Sequence, residues 1–516
     1  MTRQTLTPAV VLVADRTLSA SYKVLFEGIF ATMQTTQVPE IAMKKFVAPP
    51  IKTDSFGRAV AAPLGLRRVE SALLKFTDLN ADDVVCTTPE ALPKLLGDWT
   101  KVVAFSSSDP LGMGMSNTTT KNFWKGDLYS SYWTKKMMTR VAQAKTKHNF
   151  KVVAGGGGAW QLAYDRKSAE SLGIDVIFEG YFENLGPGLF TDLIDNNQTQ
   201  NYICENNTAA EYIQPIKGPT VLGAVEFSRG CGRGCGFCTM AAKKMSHITP
   251  DIICADIETN AAADVATVVS GSEDFFRYGS PGLKPDFEKL TDLLDKMRSI
   301  DGLSFMQIDH ANITSVLNLT DEQLKEIRRL LTWGKHTDYL WVNMGVESAN
   351  GWLVAANCPG KISGFRPCNW QDMVIETAQK MTRNGFFSVF SVILGLPGET
   401  PEDVEKTLKL VKMLGKQHAV IFPIFYEPLS TEQIEANQRF TIKKMRLDHL
   451  ELYKTCYEIN FQKVPLLFWD NQRAGGTSLL KRSLMQFLGK CEVRSWRHTF
   501  KKVGTQIEQR QVPLEK

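Results

Sequence analysis

No run of about 18 uncharged apolar residues occurs in this sequence, so nothing in it reads as a membrane-spanning helix. The short apolar run from Ala9 to Ala14 is ended by Asp15 and is too brief for a signal-peptide core. The expectation is a cytoplasmic protein with no membrane partner. Cysteine is dilute, 10 in 516 residues, which excludes a disulfide framework. Seven of these, Cys86, Cys204, Cys254, Cys358, Cys368, Cys456 and Cys491, are scattered and read as buried free thiols. Net charge is nearly absent before residue 431, with 44 Lys+Arg against 46 Asp+Glu, whereas 431–516 carries 16 against 9. Basicity is therefore a C-terminal property.

What is present suits a globular chain of two or three domains, since 516 residues exceed what one growing core accommodates. Short β-branched runs at 9–14, 83–87, 101–107, 150–156 and 174–179 alternate with helix-like stretches at 64–76, 89–97 and 123–147. That alternation predicts a parallel, doubly wound sheet, whose ligands sit outside the carboxyl ends of the strands. The strand-end loops carry Ser106, Ser107, Ser108, Asp109 and Gly112, then Gly155, Gly156, Gly157 and Gly158, then Glu179 and Tyr181. Hydroxyls and successive glycines let a backbone approach a bulky, phosphate-bearing ligand, although glycine turns also simply end strands. A polar connector follows at 201–222.

A second set of strand-like runs at 223–228, 265–270, 304–308, 339–346 and 387–394, with helix-like stretches at 284–299, 321–332 and 371–384, predicts a partial TIM-type barrel. Between its first two strands lies F-S-R-G-C-G-R-G-C-G-F-C-T-M. Cys231, Cys235 and Cys238 share eight positions, with glycines between them that let the backbone curl and aim three sulfurs at one centre. Structural zinc wants four N or S ligands, and no further thiol or histidine pair stands at suitable spacing. Three thiolates instead suit a 4Fe-4S cluster with one open iron. Later strand ends carry Gly271-Ser272-Glu273-Asp274, Gly345-Val346-Glu347-Ser348 and Gly395-Leu396-Pro397-Gly398-Glu399-Thr400. Each alone is an ordinary turn or helix cap.

Together, C-x-x-x-C-x-x-C with Phe237 before its last cysteine and these three segments in order resemble the radical S-adenosylmethionine (SAM) superfamily. Placed after a sheet with S-x-S, G-G-x and G-E-G-E-like loops, they resemble its cobalamin-dependent members. That resemblance implies a 4Fe-4S cluster on the three cysteines and SAM at Phe237, Gly271, Ser272, Glu273, Gln307, Glu347, Ser348 and Leu396. It also implies cobalamin on the loops named above. The D-x-H-x-x-G motif of other cobalamin domains is absent, and His148 is the single histidine before residue 200, so no histidine ligand to cobalt is expected.

The family's usual outcome is methylation of an unactivated sp3 carbon, with one SAM cut to a 5′-deoxyadenosyl radical and another giving its methyl through cobalamin. The alternative is modification of a small metabolite by methylation, cyclisation or rearrangement. D-P-L-G-M-G and G-S-E-D-F-F-R-Y resemble archaeal protein-modifying members, among them the glutamine C-methyltransferase of methyl-coenzyme M reductase. A protein or peptide substrate and an electron donor such as ferredoxin or flavodoxin are then implied. The expected layout is α/β: a Rossmann-like cobalamin domain at 1–205, a radical SAM barrel at 206–430, and a small helical C-terminal domain at 431–516. That last segment reads as helical over 430–463, with Ser430 or Thr431 as N-cap. It interleaves basic and aromatic residues (Phe468, Trp469, Arg473, Lys481, Arg482, Arg494, Trp496, Arg497). Nucleic acid is the weaker reading of that pattern, and a solvated face over a small core the stronger.

Overall fold

In the computed structural model the described residues are 6–207, 210–332, 340–429 and 438–511. The first sheet is wholly parallel and has six strands: β1 (Val10–Ala14), β2 (Val84–Thr87), β3 (Val102–Ser106), β4 (Lys151–Gly155), β5 (Val176–Gly180) and β6 (Tyr202–Glu205). Their spatial order is β2-β1-β3-β4-β5-β6. Val10 and Leu12 pack with Leu66 and Leu73 on one face, while Val11 and Val13 pack with Met137 and Val141 on the other. Burial on both faces is why these strands read as continuous apolar runs. Strand order reverses around β1, so the crevice lies at the carboxyl ends of β1 and β3.

Three expectations need correction. The stretch 89–97 holds only a short 3-10 turn, Leu92–Lys94. The helix read over 123–147 is two helices, Met115–Phe123 and Tyr129–Lys145, parted where Gly126 takes φ 87°, outside the right-handed helical region. The connector at 201–222 contributes β6, because Tyr202 and Ile203 pack against the sheet's two cores.

The second unit begins with β7 (Ala224–Glu226) and an antiparallel ribbon of β8 (Ser228–Arg229) and β9 (Ser246–His247). β10 (Thr267–Gly271) and β11 (Phe305–Gln307) join β7 in one parallel sheet, and β12 (Leu340–Glu347), β13 (Phe386–Leu394) and β14 (Ala419–Phe425) form another. Residue 339, where β12 was expected to start, lies outside the described residues. The two sheets are stitched at the β11–β12 seam by Asn343 N–H donating to Asp309 O (3.0 Å) and Ala311 N–H to Asn343 O (2.9 Å). Helices Pro250–Ala261, Phe287–Arg298, Asp321–Leu330, Trp370–Arg383 and Pro401–Leu414 stand between the strands, giving a partial (β/α) barrel.

Two long helices follow, Leu447–Ala474 and Leu479–Gln511. Ser430 and Thr431 lie outside the described residues; within the described part of that stretch the long helix begins at Leu447, and Leu450, Tyr453 and Cys456 are buried along it. Tyr453, Cys456, Trp496 and Phe500 belong to the same hydrophobic core as the barrel strands. Trp496 is thereby removed from the surface that base stacking requires. Among the described residues no helix is long and apolar enough to cross a membrane.

The first unit grips both free edges of the barrel. At β14, Phe425 N–H donates to Thr119 Oγ1 (2.8 Å), and the Phe123 ring stacks among Phe425, Tyr453 and Trp496. At β7, Arg68 of the helix Leu64–Phe76 pairs with buried Asp256 at 2.5 Å and donates to Gln214 O. Removing one partner of a buried pair leaves an uncompensated charge. Asp256→Ala is expected to cost about 3–5 kcal/mol in urea unfolding. A loss below about 1 kcal/mol would mean that Glu226, 3.5 Å from Arg68, takes over the guanidinium.

Candidate active site

The three cysteines lie on the loop between β8 and β9. Gly230, Gly232 and Gly234 adopt φ of 70°, 71° and 68°, conformations that L side chains rarely take. At Gly230 the need is also steric, since a Cβ would stand 2.4 Å from Lys244 O. The loop is clipped by Cys231 N–H to Lys243 O (2.9 Å), Gly234 N–H to Ala241 O (3.0 Å) and Gly236 N–H to Asn357 O (2.9 Å). Phe237 packs against the barrel core beside Cys238.

Inside the loop sits Arg233, 2% exposed. Its guanidinium donates to Asp274 Oδ2 (2.7 Å), Gly360 O (2.8 Å), Ser315 Oγ (3.0 Å) and Thr314 Oγ1 (3.1 Å). Those partners come from the segments that follow β10, β11 and β12: Asp274 just after β10, Thr314 and Ser315 in the short helix Ile313–Leu317, and Gly360 beyond the helix Gly351–Asn357. Burial pushes the Cys231 thiol up to about 11 and also raises Cys238. Cys235 is held low, chiefly by a hydrogen bond from buried Cys358.

Sequence reading placed Cys358 among the scattered thiols and passed over Arg233 and Asp274. The signals available were a cation inside a glycine–cysteine loop and a second carboxylate beside Glu273. Among the described residues no three His, Cys, Asp or Glu side chains are drawn together as the ligands of a single ion would be. A cluster does not require that convergence, because each thiolate holds a different iron. Three thiols on one clipped, partly exposed loop fit that donor set and do not fit mononuclear zinc.

The other SAM candidates divide. Glu273, after β10, makes no hydrogen bond or ion pair among the described residues, and burial raises its carboxyl with His310 opposing. Gly271 and Ser272 flank it, Ser272 Oγ meeting Ser228 Oγ at 2.6 Å. Gln307 is turned into the barrel wall, its carboxamide donating to Trp341 O (2.6 Å) and stitching β11 to β12. Glu347 is bound to the ammonium of Lys361, and Ser348 Oγ accepts from Asn350 N–H (3.1 Å) at a helix start. Leu396 is buried in the core. The turn around it is fixed by Gly395 N–H to Glu399 (2.9 Å), and Glu399 also meets His449 Nε2 (2.9 Å). Thr400 caps the helix Pro401–Leu414.

On the first sheet, Gly156 (φ 86°) lies where a Cβ would meet Ser106 Oγ at 2.2 Å, and Gly158 where one would meet Ser107 O at 2.8 Å. Gly157 faces open space, and Ser108 is exposed beside it. Gly155 ends β4, and Gly112 (φ 73°) turns the loop after β3. This shallow, bare-backbone shelf fits a bulky ligand laid on the strand ends. Ser107 and Asp109 are buried. Asp109 is spent on the loop itself, accepting from Gln161 Nε2 (2.7 Å), Gly114 N–H (2.9 Å) and Asn117 Nδ2 (2.5 Å). Asp15, which the sequence reading passed over, lies at the end of β1, where burial lifts its carboxyl to about 6. His148 is at the opposite end of the sheet, paired with Asp98.

Shelf and cysteine loop are joined at Tyr181. Arg229 and Lys243 stand over its ring at 4.5 and 4.8 Å. Arg229 in turn pairs with buried Glu183 (2.6 Å) and with Glu226 (2.9 Å). Burial raises the Glu226 carboxyl, but Arg229 and Arg68 outweigh it and hold it below its usual range. Glu179 accepts the Tyr202 hydroxyl (2.9 Å) beside this contact.

The radical SAM superfamily model matches residues 225–411. The tRNA-2-methylthio-N(6)-dimethylallyladenosine synthase of Thermus thermophilus is 23% identical over 273 residues, 52% of this chain and 53% of that protein. The ribosomal protein uS12 methylthiotransferase RimO of Leptospira biflexa is 25% identical over 46% of this chain and 48% of that one. The chain thus spans about half the length of these relatives. The solved structure of the radical S-adenosylmethionine methyltransferase TsrM from Kitasatospora setae, with cobalamin and a [4Fe-4S] cluster bound, aligns with a TM-score of 0.55. That alignment covers 83% of this chain and 78% of that one at 13% identity, a likeness of fold across both units.

Arg233→Met removes the guanidinium that the segments after three strands converge on, and it leaves buried Asp274 with only Ser315 Oγ and the Arg277 guanidinium, 4.0 Å away, as partners. The expected result is a cysteine loop that no longer retains iron after reconstitution, with the first sheet still folded by hydrogen exchange. Iron retention equal to that of the unaltered protein would show that the loop is set by its backbone clips alone.

Proposed function

We propose that this chain is a cobalamin-dependent radical SAM C-methyltransferase acting on an unactivated sp3 carbon. The observation that carries the reading is the seating of the first sheet. The glycine shelf at the ends of β3 and β4 and the cysteine loop after β7 belong to two units held together by the Tyr181–Arg229–Glu183 contact. Cys231, Cys235 and Cys238 would hold the cluster, Glu273 and its neighbours SAM, and Ser106, Ser108, Gly156 and Gly157 cobalamin. Bound there, these groups supply a carbon-centred radical and a transferable methyl group. The chain's own contribution is placement, exclusion of water and the fixed charges around the cleft.

The substrate we favour is a protein side chain, and the glutamine of methyl-coenzyme M reductase is the first to test. The support is the resemblance carried by D-P-L-G-M-G and G-S-E-D-F-F-R-Y. An electron-donor protein such as ferredoxin or flavodoxin and a cytoplasmic setting complete the proposal. A second reading, methylthiolation of RNA or protein, is favoured by the names of the curated relatives, and their similarity covers about half of this chain.

Anaerobically reconstituted protein given SAM, cobalamin, reductant and substrate peptide is expected to make 5′-deoxyadenosine and S-adenosylhomocysteine, with one CH2 added to the peptide. Cys231→Ala, Cys235→Ala and Cys238→Ala should each lose the visible cluster absorbance and both products. A sulfur-containing adduct would move the assignment to methylthiolation. Intact cluster and cobalamin with neither nucleoside product would overturn both readings.

A further inference from the structure

The turn 357–361 is pressed onto the cysteine loop by two backbone hydrogen bonds. Gly236 N–H donates to Asn357 O (2.9 Å), and Gly360 N–H to Arg233 O (2.8 Å). A Cβ on residue 360 would stand 2.5 Å from Arg233 O, so the approach needs a glycine there. Cys358 lies between the two anchors on the turn, and Cys235 between the two on the loop. The two thiols share a hydrogen bond, and Cys358 is fully buried. The same turn carries Lys361, whose ammonium is bound by Glu347 and donates to Gly345 O (3.2 Å). Cys235 thus has a thiol, a buried cation and that cation's carboxylate beside it.

The function proposed above uses the three cysteines of the loop and leaves Cys358 without a role. A thiolate that ligates iron has no proton to give, so in the loaded site the hydrogen bond runs from Cys358 S–H to Cys235 Sγ. Hydrogen bonds and charges at a ligating sulfur help to set the potential of an iron–sulfur cluster. A donor and a cation stabilise the state that holds the extra electron, and a carboxylate opposes it. Cys358, Lys361 and Glu347 are all buried, and removal from water strengthens each of these effects.

We infer that Cys358 and the Lys361–Glu347 pair set the potential at which a cluster on Cys231, Cys235 and Cys238 accepts an electron, Cys358 by donating its S–H to the Cys235 sulfur. This rests on the function proposed above. Cys358 acts through Cys235 and is therefore a positioning residue. One electron enters from the donor protein and no proton moves, the Cys358 S–H bond staying intact.

The test is an anaerobic redox titration of the whole reconstituted chain followed by electron paramagnetic resonance, with iron content measured in each sample. C358A is expected to be harder to reduce, its equilibrium constant for one-electron reduction falling about fivefold, which is about 40 mV. C358S keeps a donor and should return most of that shift. E347Q removes the carboxylate and leaves the cation, so it should move the midpoint the opposite way. A packing defect has no reason to give opposite signs in C358A and E347Q, or rescue in C358S. In the wild type, infrared spectra should show an S–H stretch at lowered frequency that falls further on reduction, a readout that holds even if C358A loses iron. Equal midpoints in wild type and C358A at equal iron content, or no S–H band that responds to reduction, would overturn the inference and leave the proposed function standing. A wild type that binds no iron on its three loop cysteines would take both down.

Discussion

A guanidinium removed from water is tolerable only when every N–H meets an oxygen and a carboxylate balances its charge. Arg233 approaches that condition at its two terminal nitrogens, which donate to Asp274, Ser315, Thr314 and the Gly360 carbonyl, while its Nε–H has no partner among the described residues. Those groups follow β10, β11 and β12, so the cysteine loop reaches its conformation only once three strands are in register. The reverse also holds, because Asp274 is fully buried and without the loop would lose its nearest cation, keeping only Ser315 Oγ and Arg277 at 4.0 Å. Loop and barrel end therefore fold as one cooperative object. A metal-binding loop that is otherwise mostly glycine and thiol gains its definition from a charge placed inside it.

The same physics orders the larger assembly. Glu183, Arg229, Glu226, Arg68 and Asp256 form a chain of alternating buried charges from the first sheet, across β8 and β7, to the helix after the cysteine loop. Each member is costly alone; the three inner ones are offset by two neighbours of opposite sign and the end carboxylates, Glu183 and Asp256, by one, so the chain discriminates sharply against any other docking of the two units. At the far edge of the barrel the join is apolar, with Phe123 among Phe425, Tyr453 and Trp496. Polar specificity at β7 and apolar area at β14 together fix the shelf relative to the thiols.

Much of this was legible in the chain. Parallel strands buried on both faces announce themselves as β-branched runs, and the active ends of such strands carry recognisable glycines. What the order of motifs could not convey is which way a polar side chain turns. Gln307 closes the seam to Trp341, and Asp109 is consumed by Gln161, Gly114 and Asn117. Trp341 and Gln161 lie tens of residues from the side chains they turn, as Asp274 does from Arg233. Cys358 shows the same limit: as a lone thiol before Pro-Gly it carries no pattern, and only the backbone clip from Gly236 to Asn357 brings it to Cys235.

The segment Gly345-Val-Glu-Ser illustrates how a motif can be legible for a reason other than the one first assigned. Pairing of β12 with β13 shifts between Gly345 and Glu347, and Glu347 takes φ 64°, a left-handed conformation that costs a non-glycine residue about 1–2 kcal/mol. The shift folds the Glu347 carboxylate back over Gly345, where Lys361 meets it. A Cβ on residue 345 would stand 2.1 Å from both Glu347 Oε1 and Lys361 Nζ, so the glycine is required by the ion pair. Burial opposes the Lys361 ammonium and Glu347 outweighs it, keeping a cation close enough to act on Cys235 and Cys358. Glycine and glutamate in this motif are therefore one device, a bulge that seats a buried lysine beside the cysteine loop.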